Sequence, residues 1–179
     1  MAATPPVCEF GWNAAAFSLP ATDGLTYSLQ DVAGQNGLLA MFICNHCPYV
    51  RRVLDDILSD AADLKADGIG VVAISSNDAV AYPADGFDEM RKLGLPFPYL
   101  YDESQSVAKS YDAACTPDFF GFNADLKLQY RGRLLGPLQD DGAPSRDLRD
   151  AMRQIAKTGK GPASQVPSMG CSIKWKVDT

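Results

Sequence analysis

The chain has 179 residues, 46% of them apolar and 21% charged, and a formal net charge of −6. That is enough for one domain with a sizeable core and too short for two ordinary ones. The balance is acidic and lacks a Lys/Arg cluster to neutralise phosphates, and no apolar run approaches the ~20 residues that cross a bilayer, so neither nucleic acid nor membrane is an expected partner.

The start, Met1-Ala2-Ala3-Thr4-Pro5-Pro6, has no basic region followed by an apolar stretch. A soluble, cytoplasmic protein is the expectation. Residues 25–29 alternate after the turn signal Thr22-Asp23-Gly24 and read as a strand. Residues 37–43 are almost continuously apolar and suit a central strand buried on both faces. Val50, Val53, Leu54, Ile57, Leu58 and Ala61 then repeat at helical spacing, with Pro48 in the first turn, where a missing N–H costs least. Residues 70–76 are a second buried strand. Strand, helix and strand in that order make a βαβ unit with parallel strands and a right-handed crossover.

Further along, helices are expected over 87–93, stopped by Gly94 and Pro96, and over 104–114. Strands are expected over 119–122 and 126–131, joined by a turn at Asn123-Ala124-Asp125. A last helix spans 145–157, with Ser145 as N-cap and Gly159 past its end. Residues 1–157 form the domain. Residues 158–179, rich in Gly, Pro and Ser, form a tail draped over it and carry Cys171 and Trp175.

The five cysteines are Cys8, Cys44, Cys47, Cys115 and Cys171. Their odd number and sparse placement do not make a secreted disulfide scaffold. Cys44 and Cys47 stand at C-x-x-C spacing where the buried strand ends and the helix begins. A reactive cysteine needs a reason to be a thiolate. The helix N-terminus, with partial positive charge and unpaired N–H groups, supplies one. One sulfur then attacks a disulfide and the other closes the internal bond. Two rivals stand beside this reading: plain burial, and a zinc site, which in closed form usually has a second Cys/His pair that this chain lacks. His46, between the cysteines, is either a half-exposed bystander or a cation that stabilises the thiolate. In Cys115-Thr116-Pro117, Pro117 is either an ordinary turn proline or a cis one. No nucleotide motif appears, so no cofactor is expected.

The strand, the C-x-x-C at a helix start and the later Thr116-Pro117 before a strand resemble thioredoxin-fold proteins. The resemblance implies an α/β domain with a central mixed sheet flanked by helices, and it implies that Pro117 is the cis-proline facing the redox pair. The hairpin before the motif and the long insert between residues 76 and 114 are similar to the peroxiredoxin-like branch, the alkyl hydroperoxide reductase/thiol-specific antioxidant family. The segment Cys44-Asn45-His46-Cys47-Pro48-Tyr49-Val50 and the tail 167–176 resemble an uncharacterised subgroup of that branch. Peroxiredoxins carry Pro-x-x-x-Thr-x-x-Cys. With their cysteine placed on Cys47, Ala40 replaces the proline and Cys44 the threonine. Arg131 and Arg133 are the arginines available to such a site.

The expected protein is therefore a thiol–disulfide oxidoreductase acting on protein or small-molecule thiols and disulfides. Cys44 is expected as the nucleophile nearer solvent, Cys47 as its resolving partner, His46 as tuner, and Thr116 and Pro117 as groove. A thiol peroxidase acting on peroxides and a non-catalytic redox sensor are the alternatives. No metal is expected.

Overall fold

The computed structural model describes residues 2–6 and 8–177. The chain begins with β1 (Ala2–Ala3) and reaches the hairpin β2 (Ser18–Pro20) and β3 (Thr26–Ser28). The expected strand over 25–29 ends early because Ser28 caps α1 (Leu29–Val32) in a reciprocal capping box with Asp31. The βαβ unit follows as β4 (Leu38–Phe42), α2 (Pro48–Ala66) and β5 (Gly70–Ser75), with β4 and β5 parallel. A 3-10 turn (Pro83–Asp85) leads into α3 (Phe87–Lys92), β6 (Tyr99–Tyr101) and α4 (Ser106–Ser110). The helix α4 is shorter than the expected 104–114. Gln105 and Asp112, on either side of it, both take left-handed backbone conformations that a continuous helix excludes.

The second half holds β7 (Cys115–Thr116), β8 (Asp118–Phe122), β9 (Leu128–Tyr130), α5 (Asp147–Thr158) and β10 (Gly170–Ser172). Leu126, also left-handed, shortens the expected strand over 126–131 to β9. Ser145 is not the N-cap of α5. That position is Arg146, and the Ser145 hydroxyl donates to the Asp147 carboxylate at 2.6 Å. Gly159 does end the helix in the left-handed region, φ 75°.

The main sheet runs β6-β5-β4-β8-β9, with β8 and β9 antiparallel to their neighbours, so it is mixed. Alternation along β4 divides the core. Leu39 and Met41 face α2 and α5 through Ile57, Leu64, Leu148 and Met152. Leu38, Ala40 and Phe42 face the other layer with Phe17, Tyr111, Phe120 and Phe122. On the first face, Arg146 on the flank of α5 reaches buried Asp60 at 2.5 Å and Asp56, and Arg153 reaches Asp67 at 2.7 Å. These pairs fix α5 against α2, whose N-terminus adjoins the cysteines.

A second sheet, β1-β10-β7, lies over the C-terminal end of β4. In it Cys171 is opposite Thr116 and Ser172 opposite Cys115. Residues 170–172 of the tail are thus a paired strand between the chain's first described strand and the segment leading to Pro117.

Candidate active site

The end of β4 delivers Ile43 and Cys44 to the top of the sheet, and Cys47 is the N-cap of α2 with extended backbone. Pro48 opens the helix without needing a donor. The two sulfurs therefore sit at the mouth of a helix of 19 residues, long enough for its N–H groups to favour an anion. Both thiols are free, and both are buried, at 1% and 0% exposure. The two are equally closed off, so exposure does not single out Cys44 as the sulfur nearer solvent. The turn at Pro83–Asp85, Thr116 and β10 close over the pair.

The Thr116–Pro117 peptide is cis. Thr116 serves both cysteines. Its hydroxyl is 3.3 Å from the Cys44 sulfur, and its carbonyl accepts from Cys47 at 3.0 Å. The Cys44 thiol, hydrogen-bonded to Cys47 and buried, is pushed up far beyond the ordinary thiol range. Cys47 is lowered to about 4 by the Cys44 thiol, with further donation from Thr116 and the backbone N–H groups of Val50 and Cys171. The direction of these shifts favours Cys47, the N-cap residue of α2, as the more readily ionised sulfur, whereas the sequence assigned the nucleophile to Cys44.

His46 does not point freely between the cysteines. Its Nδ1 faces the Asp85 carboxylate, with the Cys44 sulfur 3.9 Å away, and its ring stacks on Tyr82 at 5.6 Å. Asp85 is fully buried. One of its oxygens accepts the backbone N–H groups of Asn45 (2.8 Å) and His46 (3.0 Å). The other accepts from Asn77 (2.8 Å) and His46. Asn45 is locked in turn by Tyr99 (3.0 Å), the Ala84 carbonyl (3.1 Å) and Arg51 (2.9 Å). The two residues between the cysteines are thus held by a carboxylate from beyond β5. Sequence reasoning missed Asp85, because Pro83-Ala84-Asp85-Gly86 reads only as a turn.

Cys44, His46 and Asp85 place one sulfur, one nitrogen and one oxygen within 4.8 Å of one another. Asp85 already accepts four hydrogen bonds there, which is the environment of a satisfied buried carboxylate. A pocket of about 230 Å³ opens beside Cys44, walled by Val50, Arg51, Leu54 and Leu93.

The remaining candidates lie elsewhere. Arg131 is buried against Asp118, at 2.9 Å, and Arg133 pairs with Asp147 at 2.7 Å, so neither reaches the sulfurs. Burial pushes the Cys115 thiol up to about 12, with Asp118 adding to it. Cys171 packs against the cluster that contains Cys44 and Cys47.

This mixed sheet, with two cysteines at a helix start and a cis-proline beside them, defines a thioredoxin-fold domain. The sequence profile of the AhpC/TSA family matches residues 10–131, and the chain belongs to that family. It is similar over its full length to an uncharacterized conserved protein from Geobacillus kaustophilus, with 43% identity, 98% of that chain covered and a TM-score of 0.92. A hypothetical protein from Sinorhizobium meliloti 1021 is 38% identical, with 98% of this chain and 99% of that one covered and a TM-score of 0.90. A Coxiella burnetii protein provisionally named a peroxiredoxin is 26% identical over 113 residues, 63% of this chain and 72% of its own length. The thioredoxin domain of a thiol-disulfide oxidoreductase from Bacteroides vulgatus shares the fold at 16% identity, with 84% and 99% of the two chains covered and a TM-score of 0.64. Among the described residues no helix is long and apolar enough to cross a membrane.

Proposed function

We propose that the chain is a thiol–disulfide oxidoreductase whose working couple is Cys44 and Cys47, acting on thiols and disulfides in a reducing compartment such as the cytoplasm. The observation that carries this reading is the placement of both cysteines at the N-terminus of α2, Cys47 as its N-cap residue, with the cis Thr116–Pro117 peptide beside them. The roles follow from the charge. Cys47 is the attacking thiolate and the better leaving group, because a sulfur with a low pKa departs more readily. Cys44 is the resolving thiol, and Thr116 and Pro117 line the approach. His46 and Asp85 set the local charge.

The test is peptide mapping after mild oxidation and alkylation of the native protein. Cys44 and Cys47 should be recovered linked to each other. Free alkylation of both would overturn the assignment.

A second reading, thiol peroxidation, is favoured by the pocket that Cys44 lines, which admits a molecule as small as a peroxide. It needs donors that stabilise the breaking O–O bond, an electrostatic contribution worth roughly 3–4 kcal/mol per donor. Arg131 and Arg133 are engaged elsewhere, and Cys44 stands where the threonine hydroxyl would be. Exchange is therefore the leading activity.

A further inference from the structure

The buried pair poses a problem of access. A protein partner cannot present a sulfur to Cys44 or Cys47 while the tail lies over them, since neither cysteine has appreciable surface. The tail brings its own cysteine to the same place. In the antiparallel pairing of β10 with β7, Cys171 is directly opposite Thr116, the residue whose carbonyl is 3.0 Å from the Cys47 sulfur. Directly opposed residues in such a pair have Cα atoms about 4.5–5.5 Å apart. Cys171 also packs against the cluster containing Cys47, yet it is only partly buried. Of the three neighbouring cysteines it alone is not buried.

The tail is tied down as a structured element. Gly170 lies so close to Thr116 that an added Cβ would sit 2.1 Å from its carbonyl oxygen. The Lys174 N–H donates to Asn77 at 2.8 Å, and the Lys174 carbonyl accepts from Gln105 at 2.9 Å. Asn77 also donates to Asp85, so one side chain ties the tail to the residues between the cysteines.

We propose that Cys171 is the solvent-facing member of a three-cysteine relay, passing disulfide between the buried Cys44–Cys47 pair and dithiols of a protein partner. This rests on the reading of Cys44 and Cys47 as the redox couple. In the oxidising direction the Cys171 thiolate attacks the Cys47 sulfur of the Cys44–Cys47 disulfide. The Cys47–Cys171 bond forms and the Cys44–Cys47 bond breaks. Cys44, the poorer leaving group, departs with the electron pair as it takes up the proton that Cys171 lost. A partner thiolate then attacks the Cys171 sulfur, and Cys47 departs as the stable thiolate. The partner's second thiol closes its own disulfide and releases Cys171 as a thiol. Across the cycle one protein dithiol is oxidised to a disulfide, the Cys44–Cys47 disulfide is reduced to two thiols, and Cys171 is unchanged.

Two experiments test the relay. Cys44→Ser removes the resolving thiol, so oxidation with a diazenedicarboxamide should link Cys47 to Cys171 within one chain, read by peptide mapping. Cys47 and Cys171 both remaining alkylatable, in a variant with native circular dichroism, would overturn the relay. The wild-type protein treated in parallel separates the two readings. A Cys44–Cys47 link there, with no Cys47–Cys171 link in the variant, sinks the relay and leaves the couple standing; a wild type that never links Cys44 to Cys47 sinks the couple itself.

The second experiment uses the oxidised protein and two reductants, dithiothreitol and a reduced protein dithiol such as reduced ribonuclease. In Cys171→Ser the ratio of the protein rate to the dithiothreitol rate should fall at least tenfold. An unchanged ratio in both Cys171→Ser and Cys171→Ala would show that partners reach the pair without Cys171.

Discussion

The Asp85 carboxylate accepts the backbone N–H of Asn45 at 2.8 Å and pairs with the His46 imidazole, so a buried acid governs both residues between the redox cysteines. Its charge faces Cys44, where it adds to the rise that the Cys47 hydrogen bond and burial begin. His46, which pairs with Asp85 and places its Nδ1 3.9 Å from the Cys44 sulfur, opposes that effect when its imidazole carries a proton on both nitrogens.

His46→Ala and Asp85→Asn should move the reduction potential in opposite directions. The reduced pair carries a thiolate that the disulfide lacks. Removing the imidazole leaves the carboxylate uncompensated, disfavours the thiolate and makes the pair more reducing. Removing the carboxylate charge makes it more oxidising. An interaction worth ~1–2 kcal/mol at such distances corresponds to about 20–40 mV for a two-electron couple. Equilibration with glutathione measures both variants. Asp85→Asn should also cost roughly 2–3 kcal/mol of stability in urea, since a charged acceptor of buried N–H groups is lost. Shifts of the same sign in the two variants would refute the opposed-charge account.

The potential should fall by about 30 mV per pH unit between pH 5 and 8, and by about 60 mV per unit below pH 4. With Cys47 lowered to about 4 and Cys44 raised, reduction over the upper range takes up two electrons and one proton, and below pH 4 two protons. The same depressed Cys47 stabilises the reduced fold fully above the unfolded thiol value, near 8.5. That contribution declines as the pH falls and is gone below about 4. A slope near 60 mV per unit across pH 5–8 would place both thiols in the protonated form.

Arg131→Leu should destabilise the fold by about 3–5 kcal/mol, because it leaves Asp118 buried and unpaired. The rate of hydrogen peroxide consumption per folded molecule should not change, since the guanidinium is committed to Asp118 and the Asp112 carbonyl. In the wild type, stopped-flow traces should show peroxide reacting more slowly than a disulfide probe. A peroxide rate that falls in Arg131→Leu at a matched folded fraction would place the arginine in a peroxidatic site.

The local pattern in the sequence carried the βαβ unit and the position of the cysteines. The apolar run before Cys44, the helical spacing after Pro48 and the C-x-x-C between them are short-range features, and β4, α2 and β5 follow them closely. What was not legible depends on residues far apart in the chain. Nothing near Asp85 announces that it will bond to residues 40 positions earlier. Nothing in the Gly/Pro/Ser-rich tail shows that Gly170–Ser172 pairs with Cys115–Thr116, because three residues are too few for a strand signal. The enclosure of Cys44 and Cys47 was not legible for the same reason: it depends on what covers them, and the cover comes from the turn at Asp85 and from β10.

Gly170→Ala should expose Cys47 without altering any cysteine. The added Cβ would meet the Thr116 carbonyl oxygen at 2.1 Å, the Thr116 carbonyl carbon at 2.5 Å and the Pro117 nitrogen at 3.0 Å. All three are backbone atoms that cannot swing aside, and Thr116 is held by both sulfurs, so β10 must give way. Overpacking of this kind costs ~1–3 kcal/mol. Spent on detaching the strand, that raises the open population roughly 5- to 100-fold, at 1.4 kcal/mol per factor of ten. Alkylation of Cys47 in the reduced protein should quicken by the same factor, and Cys115, which faces Ser172 and Ser168 of the same tail, should quicken with it. Hydrogen exchange at Cys171 and Ser172 should rise with it. If Cys47 reacts no faster although β10 exchanges freely, its cover is the turn at Pro83–Asp85 rather than the tail, and a partner's route to the pair runs past His46.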